Sequence, residues 1–176
     1  SGLVQSAEFI QGSVEDAALV RTLIAETDVV FHLAARNIIV STADPCSDFE
    51  TNVRGTFNIL EACRENQVER VVFTSSASVY GNPVHLPIDE NDPTYPLNPY
   101  AASKLSAESY CRAYYEMYCV PMTVVRYSNV YGPYQSPDNP YCGVVSKFIQ
   151  RALDGMPLKI HGDGDQTRDF TYVDDA

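Results

Sequence analysis

The sequence is short of positive charge and contains no long apolar run. Its 176 residues include 12 lysines and arginines against 23 aspartates and glutamates, a formal net charge of −11. Such a charge repels nucleic-acid phosphates, which excludes a nucleic-acid-binding function. No apolar stretch approaches the roughly 20 residues that span a bilayer, and no basic-then-apolar leader opens the chain. We therefore expect neither a membrane segment nor a signal peptide.

Cysteine is sparse and shows no pairing pattern. The chain has five cysteines, an odd number, and no two are spaced as Cys-x-x-Cys. Reduced thiols with a packing role are therefore expected, as in a cytoplasmic protein, and a metal site is not. The positions are Cys46, Cys63, Cys111, Cys119 and Cys142.

Strand-like and helix-like segments alternate along the chain. With 45% apolar and 20% charged residues, the composition is that of one globular domain or part of one. Periodicity and capping residues predict strands at 7–10, 29–33, 71–75, 122–126, 158–160 and 168–172, and helices at 13–25, 48–64, 99–118 and 144–153. Ser13 is the predicted cap of the first helix. This alternation predicts an α/β fold with a parallel, doubly wound sheet.

The most informative pair of residues is Tyr100 and Lys104, in the segment Leu-Asn-Pro-Tyr-Ala-Ala-Ser-Lys. Asn98 can cap a helix and Pro99 suits its first turn, so the pair would lie one helical turn apart on one face. An ammonium beside a phenol stabilises the phenolate, which can deprotonate an alcohol. The alternative is an ordinary surface helix on which the two residues meet by chance.

Two predicted strands with polar ends flank this helix and decide between the alternatives. Residues 71–81 read Val-Val-Phe-Thr-Ser-Ser-Ala-Ser-Val-Tyr-Gly, and residues 122–133 read Met-Thr-Val-Val-Arg-Tyr-Ser-Asn-Val-Tyr-Gly-Pro. Each is an apolar β-branched run that ends in hydroxyl, amide or aromatic residues. This pattern is typical of a buried parallel strand whose carboxyl end opens into a site.

With these motifs in this order, the chain resembles the extended short-chain dehydrogenase/reductase family. Within that family it is most similar to the nucleotide-sugar epimerases and dehydratases, above all to the UDP-glucose 4-epimerases. The resemblance extends from about Val29 to Asp175. It implies a Rossmann-like fold, NAD as cofactor, a nucleotide-sugar substrate that is commonly a UDP-sugar, and a homodimer paired through the Tyr100 helix.

The resemblance also assigns roles to individual residues. Ser76, Tyr100 and Lys104 would be catalytic, with Ser76 bonded to the reacting sugar oxygen. Substrate would be bound by Ser76, Asn129 and Arg168, the last two at the nucleotide phosphates, where a guanidinium fork suits phosphate oxygens. The residues expected to bind NAD are Val14, Leu33, Ala34, Ala35, Asn52, Ser75, Tyr100, Lys104 and Tyr127.

At four positions an ordinary structural role is the alternative. Ser13 replaces the acid that the family places beside adenine, so the segment Gly-Ser-Val at 12–14 can equally cap a helix. The other three alternatives are a core histidine at His32, which we expect, a surface-helix position at Asn52, and a salt bridge from Arg168 to Asp165 or Asp169.

The two residues after Ser76 separate subclasses of the family. Dehydratases have an acidic pair or a single acidic residue at these positions, and the related decarboxylases have Glu at the second. These acidic side chains transfer protons beside the sugar carbonyl. Ala77 and Ser78 cannot do so. They favour an epimerase that oxidises the sugar at C4, lets the ketosugar rotate and reduces it again. Reductases, decarboxylases and dehydratases of the same family are the alternative.

In the epimerase reaction Tyr100 takes the hydroxyl proton of the sugar, directly or through Ser76. Lys104 and the positive nicotinamide are then expected to lower the pKa of the phenol from about 10 toward 7, which is roughly 4 kcal/mol of differential stabilisation.

A glycine-rich phosphate-binding turn is missing, since neither GxGxxG nor GxxGxxG occurs. We therefore expect 1–176 to be a truncated NAD-binding domain, with the first strand–helix–strand unit and most of the substrate lobe absent and the start of the substrate-binding region at about 131–176. The missing first strand would be central in the sheet. Either strand 7–10 then pairs directly with strand 29–33, or a second chain covers the gap. The missing turn also argues against activity, which leaves a non-catalytic remnant or interaction module as a further alternative.

Overall fold

The structure of the protein is a computed structural model that describes residues 7–139 and 142–176. The helices are α1 (Ala17–Ile24), α2 (Ile38–Ala43), α3 (Pro45–Asp48), α4 (Gly55–Asn66), α5 (Pro99–Tyr118) and α6 (Val144–Leu153), with a π-helix at Phe49–Arg54 and a 3-10 helix at Ala77–Tyr80. The strands are β1 (Val29–His32), β2 (Arg70–Ser76), β3 (Met122–Tyr127), β4 (Asn129–Tyr131) and β5 (Phe170–Tyr172). Helices alternate with parallel strands, so the predicted α/β class is confirmed.

The main sheet consists of β1, β2 and β3 in that order, all parallel, with β2 at its centre. The register pairs Phe31 with Val72 and Phe73 with Val124. Each new strand is added on the same side of the last, as in one half of a doubly wound sheet. The predicted Rossmann-like arrangement is therefore confirmed for these three strands.

Residues 7–10 do not form the predicted strand. They have no regular secondary structure, and Phe9 is 88% exposed. Within the described residues β1 pairs with β2 alone, so the predicted pairing of 7–10 with β1 is wrong. A strand is stable where it joins a ladder and buries one face, and this segment does neither. A second chain against β1 stays a prediction.

The core lies between the sheet and the helices α1, α4 and α5. Leu60 of α4 and Val71 and Phe73 of β2 are each only 1% exposed. The central strand supplies two of these three residues because it has a neighbouring strand on both sides. The other buried members of this core are Val20, Ile24, Ile59, Ala62, Cys63, Val68, Ala107, Cys111, Tyr114 and Val120.

Helix α5 has the bounds that the sequence predicts. Asn98 Oδ1 accepts a hydrogen bond from Ala101 N at 2.9 Å, and Pro99 occupies the first turn. The helix ends where Cys119 adopts the left-handed conformation, with φ of 55°. Local capping signals thus fix where α5 begins and ends along the chain.

Two other helices depart from the prediction at their starts. Asp16, not Ser13, caps α1, because the Asp16 carboxylate accepts two backbone N–H groups of the first turn. The Ser13 hydroxyl instead accepts from Glu15 N in the preceding turn. The single helix predicted at 48–64 is divided into the end of α3, the π-helix and α4. π-Helical turns are frequent at functional sites.

The C-terminal part contains a second, two-stranded parallel sheet of β4 and β5. β4 was not predicted, whereas β5 falls within the predicted strand 168–172. The strand predicted at 158–160 is not formed. Leu158 and Ile160 are 47% and 62% exposed, so this apolar segment gains no buried face from extended pairing.

Candidate active site

The carboxyl end of β2 and the first turn of α5 meet at one point. The Ser76 side chain is close enough to the Tyr100 phenol to lower its pKa, and Ser76 is paired in register with Tyr127 of β3. Lys104 Nζ lies 6.0 Å from the centroid of the Tyr100 ring. The structure thus brings four of the predicted site residues together at the sheet edge where α/β proteins bind ligands.

Lys104 is buried at this site, with 2% of its surface exposed. Its Nζ donates a hydrogen bond to the Thr74 carbonyl at 2.8 Å and lies 4.9 Å from the centroid of the Phe73 ring. Burial lowers the pKa of Lys104 to about 8. The side chain therefore remains mostly cationic at neutral pH, with a smaller margin than an exposed lysine has.

The residues of this chain by themselves do not lower the pKa of the Tyr100 phenol, and the lowering expected from Lys104 together with the nicotinamide stays a prediction. Burial raises the pKa of Tyr100 above its usual value, and the hydrogen bond with Ser76 offsets this in part. Desolvation disfavours the phenolate because it is the charged form. The residues of this chain alone therefore do not produce a phenolate at neutral pH.

Ser78 belongs to the site, although the sequence analysis gives it no role there and notes only that it is not an acidic residue. Ser76 Oγ accepts a hydrogen bond from Ser78 N at 3.2 Å and lies 2.9 Å from Ser78 Oγ. The 3-10 helix that begins at Ala77 creates this contact, because Ser76 caps it. The spacing Ser-x-Ser at the end of a strand was the available signal.

Asn52 is 1% exposed, so the alternative of a surface-helix position is wrong. Its Oδ1 accepts from Arg36 N at 2.7 Å, and its Nδ2 donates to Arg36 O at 3.1 Å. Nδ2 also lies 2.6 Å from Asp48 Oδ1 and 3.2 Å from Ser103 Oγ. Asn52 thereby ties the loop after β1 to α5. Asp48 and Ser103 were missed, because they become neighbours only through packing.

His32 is a buried core residue, as predicted. It is 3% exposed, its Nε2 lies 2.8 Å from Thr56 Oγ1, and its ring packs on Phe73 at 5.4 Å between centroids. Burial, and to a smaller degree the charge of Lys104, lowers the pKa of His32 to about 4.

We expect acid to weaken the fold through His32. The unfolded histidine titrates near 6.5 and the folded one near 4, so between these values the unfolded chain binds more protons. The free energy of unfolding should therefore fall as the pH falls through this window, by about 3 kcal/mol at its lower end. Urea unfolding at about pH 7 and about pH 4.5 should show a smaller loss in His32→Gln than in the wild type. The exposed His161→Gln is the control, and equal losses in His32→Gln and the wild type would contradict the expectation.

The predicted NAD-binding residues Val14 and 33–35 lie in two different settings. Leu33, Ala34 and Ala35 follow β1 and are exposed. Val14 is half-buried and packs on α4, where a Cβ atom on Gly55 would come within 2.5 Å of Val14 Cγ2. The exposed end of β1 is therefore the most accessible part of the predicted cofactor surface.

Ser75 joins a polar cluster between the sheet and α5. Its hydroxyl donates to Glu108. Arg126 of β3 binds the same carboxylate with two nitrogens, Nη2 at 2.6 Å and Nε at 2.9 Å, and its Nη1 lies 2.6 Å from Tyr80 Oη. The hydrogen bond with Glu108 raises the pKa of Arg126. Sequence reasoning missed this cluster, for which a charged residue inside an apolar strand was the signal.

The polar cluster borders a cavity of about 1020 Å³. Tyr127, at the end of β3, also lines it. The Tyr127 hydroxyl donates to Ala176 O at 2.9 Å, and Asn129 Nδ2 donates to Asp169 O at 3.1 Å. The predicted nicotinamide and phosphate roles of Tyr127 and Asn129 stay predictions.

Arg168 lines a second cavity of about 460 Å³ together with Lys159, His161, Phe148 and Phe170. Its Nη1 donates to the Thr167 carbonyl at 2.6 Å. No salt bridge to Asp165 or Asp169 is found for Arg168 in the described part of the chain. The exposed guanidinium of Arg168 therefore lies at a cavity that Lys159 and His161 also line.

The described residues hold neither a membrane-spanning helix nor a metal site. Within 7–139 and 142–176 no helix is both long and apolar enough to cross a bilayer. In the same ranges no three His, Cys, Asp or Glu side chains are grouped to bind a metal ion. All five cysteines are free.

Comparison with known proteins identifies the family to which this chain is similar. The whole chain, 1–176, matches the NAD dependent epimerase/dehydratase family. UDP-glucose 4-epimerase from Mycolicibacterium smegmatis is 42% identical over 173 residues, covering 96% of this chain and 55% of that protein. dTDP-D-glucose 4,6-dehydratase from Homo sapiens is 37% identical over 175 residues, covering 98% and 49%.

A solved structure agrees with these sequence matches. The crystal structure of UDP-glucose 4-epimerase with UDP-glucose from Thermotoga maritima superposes with a TM-score of 0.92 at 35% identity. The match covers 97% of this chain and 56% of that one. The chain thus spans about half the length of the relatives it matches.

Proposed function

Because this chain belongs to the NAD dependent epimerase/dehydratase family, we propose that it acts in the C4 epimerisation of a nucleotide sugar. The sugar is oxidised at C4, turns in the site as a ketone and is reduced on its other face. The observation that carries this proposal is the meeting of Ser76 and Tyr100 beside the buried ammonium of Lys104. An alcohol bound there meets a hydroxyl that orients it and a phenol that exchanges its proton.

NAD is the cofactor of the family, and the residues around Ser76 fit it. The exposed end of β1 carries Ala34 and Ala35, whose small side chains let a ligand approach the backbone closely. This end and the end of β2 lie at the same edge of the sheet, which is where dinucleotides bind in such folds. When bound, NAD supplies the hydride acceptor for C4 and then the hydride donor.

Tyr100 removes the proton of the C4 hydroxyl and later returns it to the C4 oxygen. Ser76 holds that oxygen through its own hydroxyl, which Ser78 orients. Burial opposes the phenolate form of Tyr100. The ammonium of Lys104, 6.0 Å from the ring centroid, acts in the opposite direction by Coulomb attraction. The charge of Lys104 therefore favours the phenolate form that accepts the proton.

We propose that the nucleotide diphosphate binds near Asn129 and Arg168. Arg168, Lys159 and His161 line one cavity in a chain whose net charge is −11. A guanidinium binds two phosphate oxygens at once, whereas an ammonium acts as a point charge. The M. smegmatis and T. maritima relatives are UDP-glucose epimerases, which favours a UDP-sugar as the substrate.

A dehydratase is the second candidate function, because a dTDP-glucose dehydratase is among the relatives. Loss of water from the sugar needs a proton donor and a base beside the carbonyl. Here Ala77 and Ser78 follow Ser76, and neither can serve. This argument favours epimerisation, and the products of the two reactions differ by one water molecule.

We further propose that the protein is a cytoplasmic homodimer paired through α5. Tyr115, Met117 and Tyr118 near the end of that helix are 54%, 73% and 54% exposed. Exposed large apolar and aromatic side chains mark association sites. The five free cysteines fit a reducing compartment.

The function can be tested by measuring cofactor content and product together. The purified protein is denatured and the supernatant assayed for NAD, with added NAD as the control. The native protein is then incubated with UDP-glucose and with dTDP-glucose, and the products are separated by chromatography and mass. A C4 epimer of unchanged mass supports the proposal, and a product lighter by one water identifies the dehydratase. Neither NAD binding nor product would favour a non-catalytic role.

A further inference from the structure

A buried carboxylate lies behind the Tyr100–Lys104 pair. Asp48, the last residue of α3, is 2% exposed. Three neutral side chains contact its Oδ1: Ser41 Oγ at 2.5 Å, Asn52 Nδ2 at 2.6 Å and Ser103 Oγ at 3.1 Å. Removing a carboxylate from water costs several kcal/mol. The hydrogen bonds offset part of this cost, and a nearby positive charge offsets more.

The polar contacts of Asp48 lead directly to the helix that carries the catalytic pair. Ser103 stands next to Lys104 on α5, and its Oγ is 2.9 Å from the Tyr100 carbonyl. Both α3 and the π-helix pack against α5. The negative charge of Asp48 is therefore held against the first turns of α5, where Tyr100 and Lys104 lie.

Some of the groups around Lys104 raise its pKa, and burial among them lowers it. Burial lowers the pKa of Lys104, and the attraction of Asp48 is the largest effect that raises it, ahead of Cys111 and Glu108 on α5. From β1, His32 faces the ammonium but remains neutral, because its own pKa is lowered to about 4. The Thr74 carbonyl of β2 accepts the one hydrogen bond described above.

We propose that Asp48 is a positioning residue that keeps Lys104 protonated at neutral pH and so preserves the charge on which Tyr100 depends. The inference rests on the proposed epimerase function, but its central claim concerns Lys104 alone. Asp48 also acts on Tyr100 directly, where its charge opposes the phenolate and adds to the effect of burial. Any stabilisation of the Tyr100 phenolate by Asp48 must therefore act through the charge of Lys104.

Asp48→Asn separates this role from simple hydrogen bonding. All three contacts of the carboxylate reach Oδ1, and an asparagine Oδ1 can accept the same three. The substitution thus removes the charge and retains the acceptor. The matched control is Asp44→Asn at the exposed cap of α3, where the asparagine caps equally well and the same charge is lost away from Lys104.

The test is a titration of the lysine side chains by NMR, with lysine labelled at Cε. The chain has only Lys104, Lys147 and Lys159, and a Lys104→Met sample assigns the Lys104 signal by its loss. We expect a wild-type midpoint of about 8 for Lys104. Asp48→Asn should lower that midpoint by about 1 unit, and Asp44→Asn should leave it unchanged.

Two results would overturn the proposal. One is an unchanged Lys104 midpoint in folded Asp48→Asn. The other is a wild-type Lys104 midpoint near the usual lysine value or below neutrality. This second result needs only the wild type, so it also applies if Asp48→Asn does not fold. Because this readout needs no turnover, an inactive protein would contradict the proposed function without affecting the result for Asp48. In a protein that does epimerise, kcat should fall at neutral pH in Asp48→Asn with little change in KM.

Discussion

Tyr100→Phe is expected to reduce the epimerisation rate by a factor of about 100 to 10,000, the usual contribution of a positioned proton-transfer group. The variant lacks the phenolic oxygen that exchanges the C4 proton, while the ring still fills its place beside Ser76 and Lys104. Substrate and NAD contacts made by other residues remain. The loss should therefore appear in kcat, measured by following product formation at saturating nucleotide sugar and saturating NAD.

Tyr110→Phe provides the matched control for this substitution. Tyr110 lies on the same helix, is 43% exposed and packs edge-on against Phe57, so removing its hydroxyl should leave the rate unchanged. Equal rates for Tyr100→Phe and the wild type would remove Tyr100 from the mechanism. A loss confined to KM would instead assign Tyr100 to binding.

Arg126→Leu is expected to lower the free energy of unfolding by about 3 kcal/mol, the low end of the cost of breaking a buried ion pair. The side chains of Arg126 and Glu108 are only 22% and 10% exposed. Without the guanidinium, the Glu108 carboxylate keeps the hydroxyl of Ser75 but loses its charged partner, and Tyr80 loses a hydrogen bond. Urea unfolding at neutral pH measures the difference.

A second arginine–glutamate pair makes the comparison specific. Arg54 and Glu50 are paired at 2.9 Å on the surface, with side chains 60% and 44% exposed, so Arg54→Leu should cost less than about 1 kcal/mol. The double variant Arg126→Leu, Glu108→Leu should be more stable than Arg126→Leu alone, because no unpaired charge remains buried. If both single variants lose the same stability, the Arg126 cluster has no special role in the fold.

What the sequence predicts correctly here is local. The bounds of α5 follow from Asn98, Pro99 and the residues before Pro121, all of which act within one turn of the helix ends. The strands 71–75 and 122–126 are recognised because both are continuous β-branched runs. These three elements place Ser76, Tyr100 and Lys104 together, so the centre of the candidate site could be found before the fold was known.

What the sequence does not reveal depends on long-range pairing. β4 is three residues long and is paired with β5 across about 40 intervening residues, so the sequence around β4 holds no local pattern that predicts it. Asp48 and Ser103 are 55 positions apart. The raised pKa of Tyr100 has its largest cause in tertiary burial, which the local sequence does not show.

The π-helix between α3 and α4 determines how this site responds to changes in chain length. An α-helix turns by about 100° per residue, so one residue more or less rotates everything beyond it by that angle. Asn52 lies within the π-helix and contacts the Arg36 backbone and Asp48. A π-turn already holds about one residue more than an α-turn, so deleting one residue between Asp48 and Asn52 would permit regular α-helix and leave the two three positions apart, still on one face. Adding one residue would place them five positions apart and turn the amide away from Asp48. This segment is therefore more sensitive to an insertion than to a deletion.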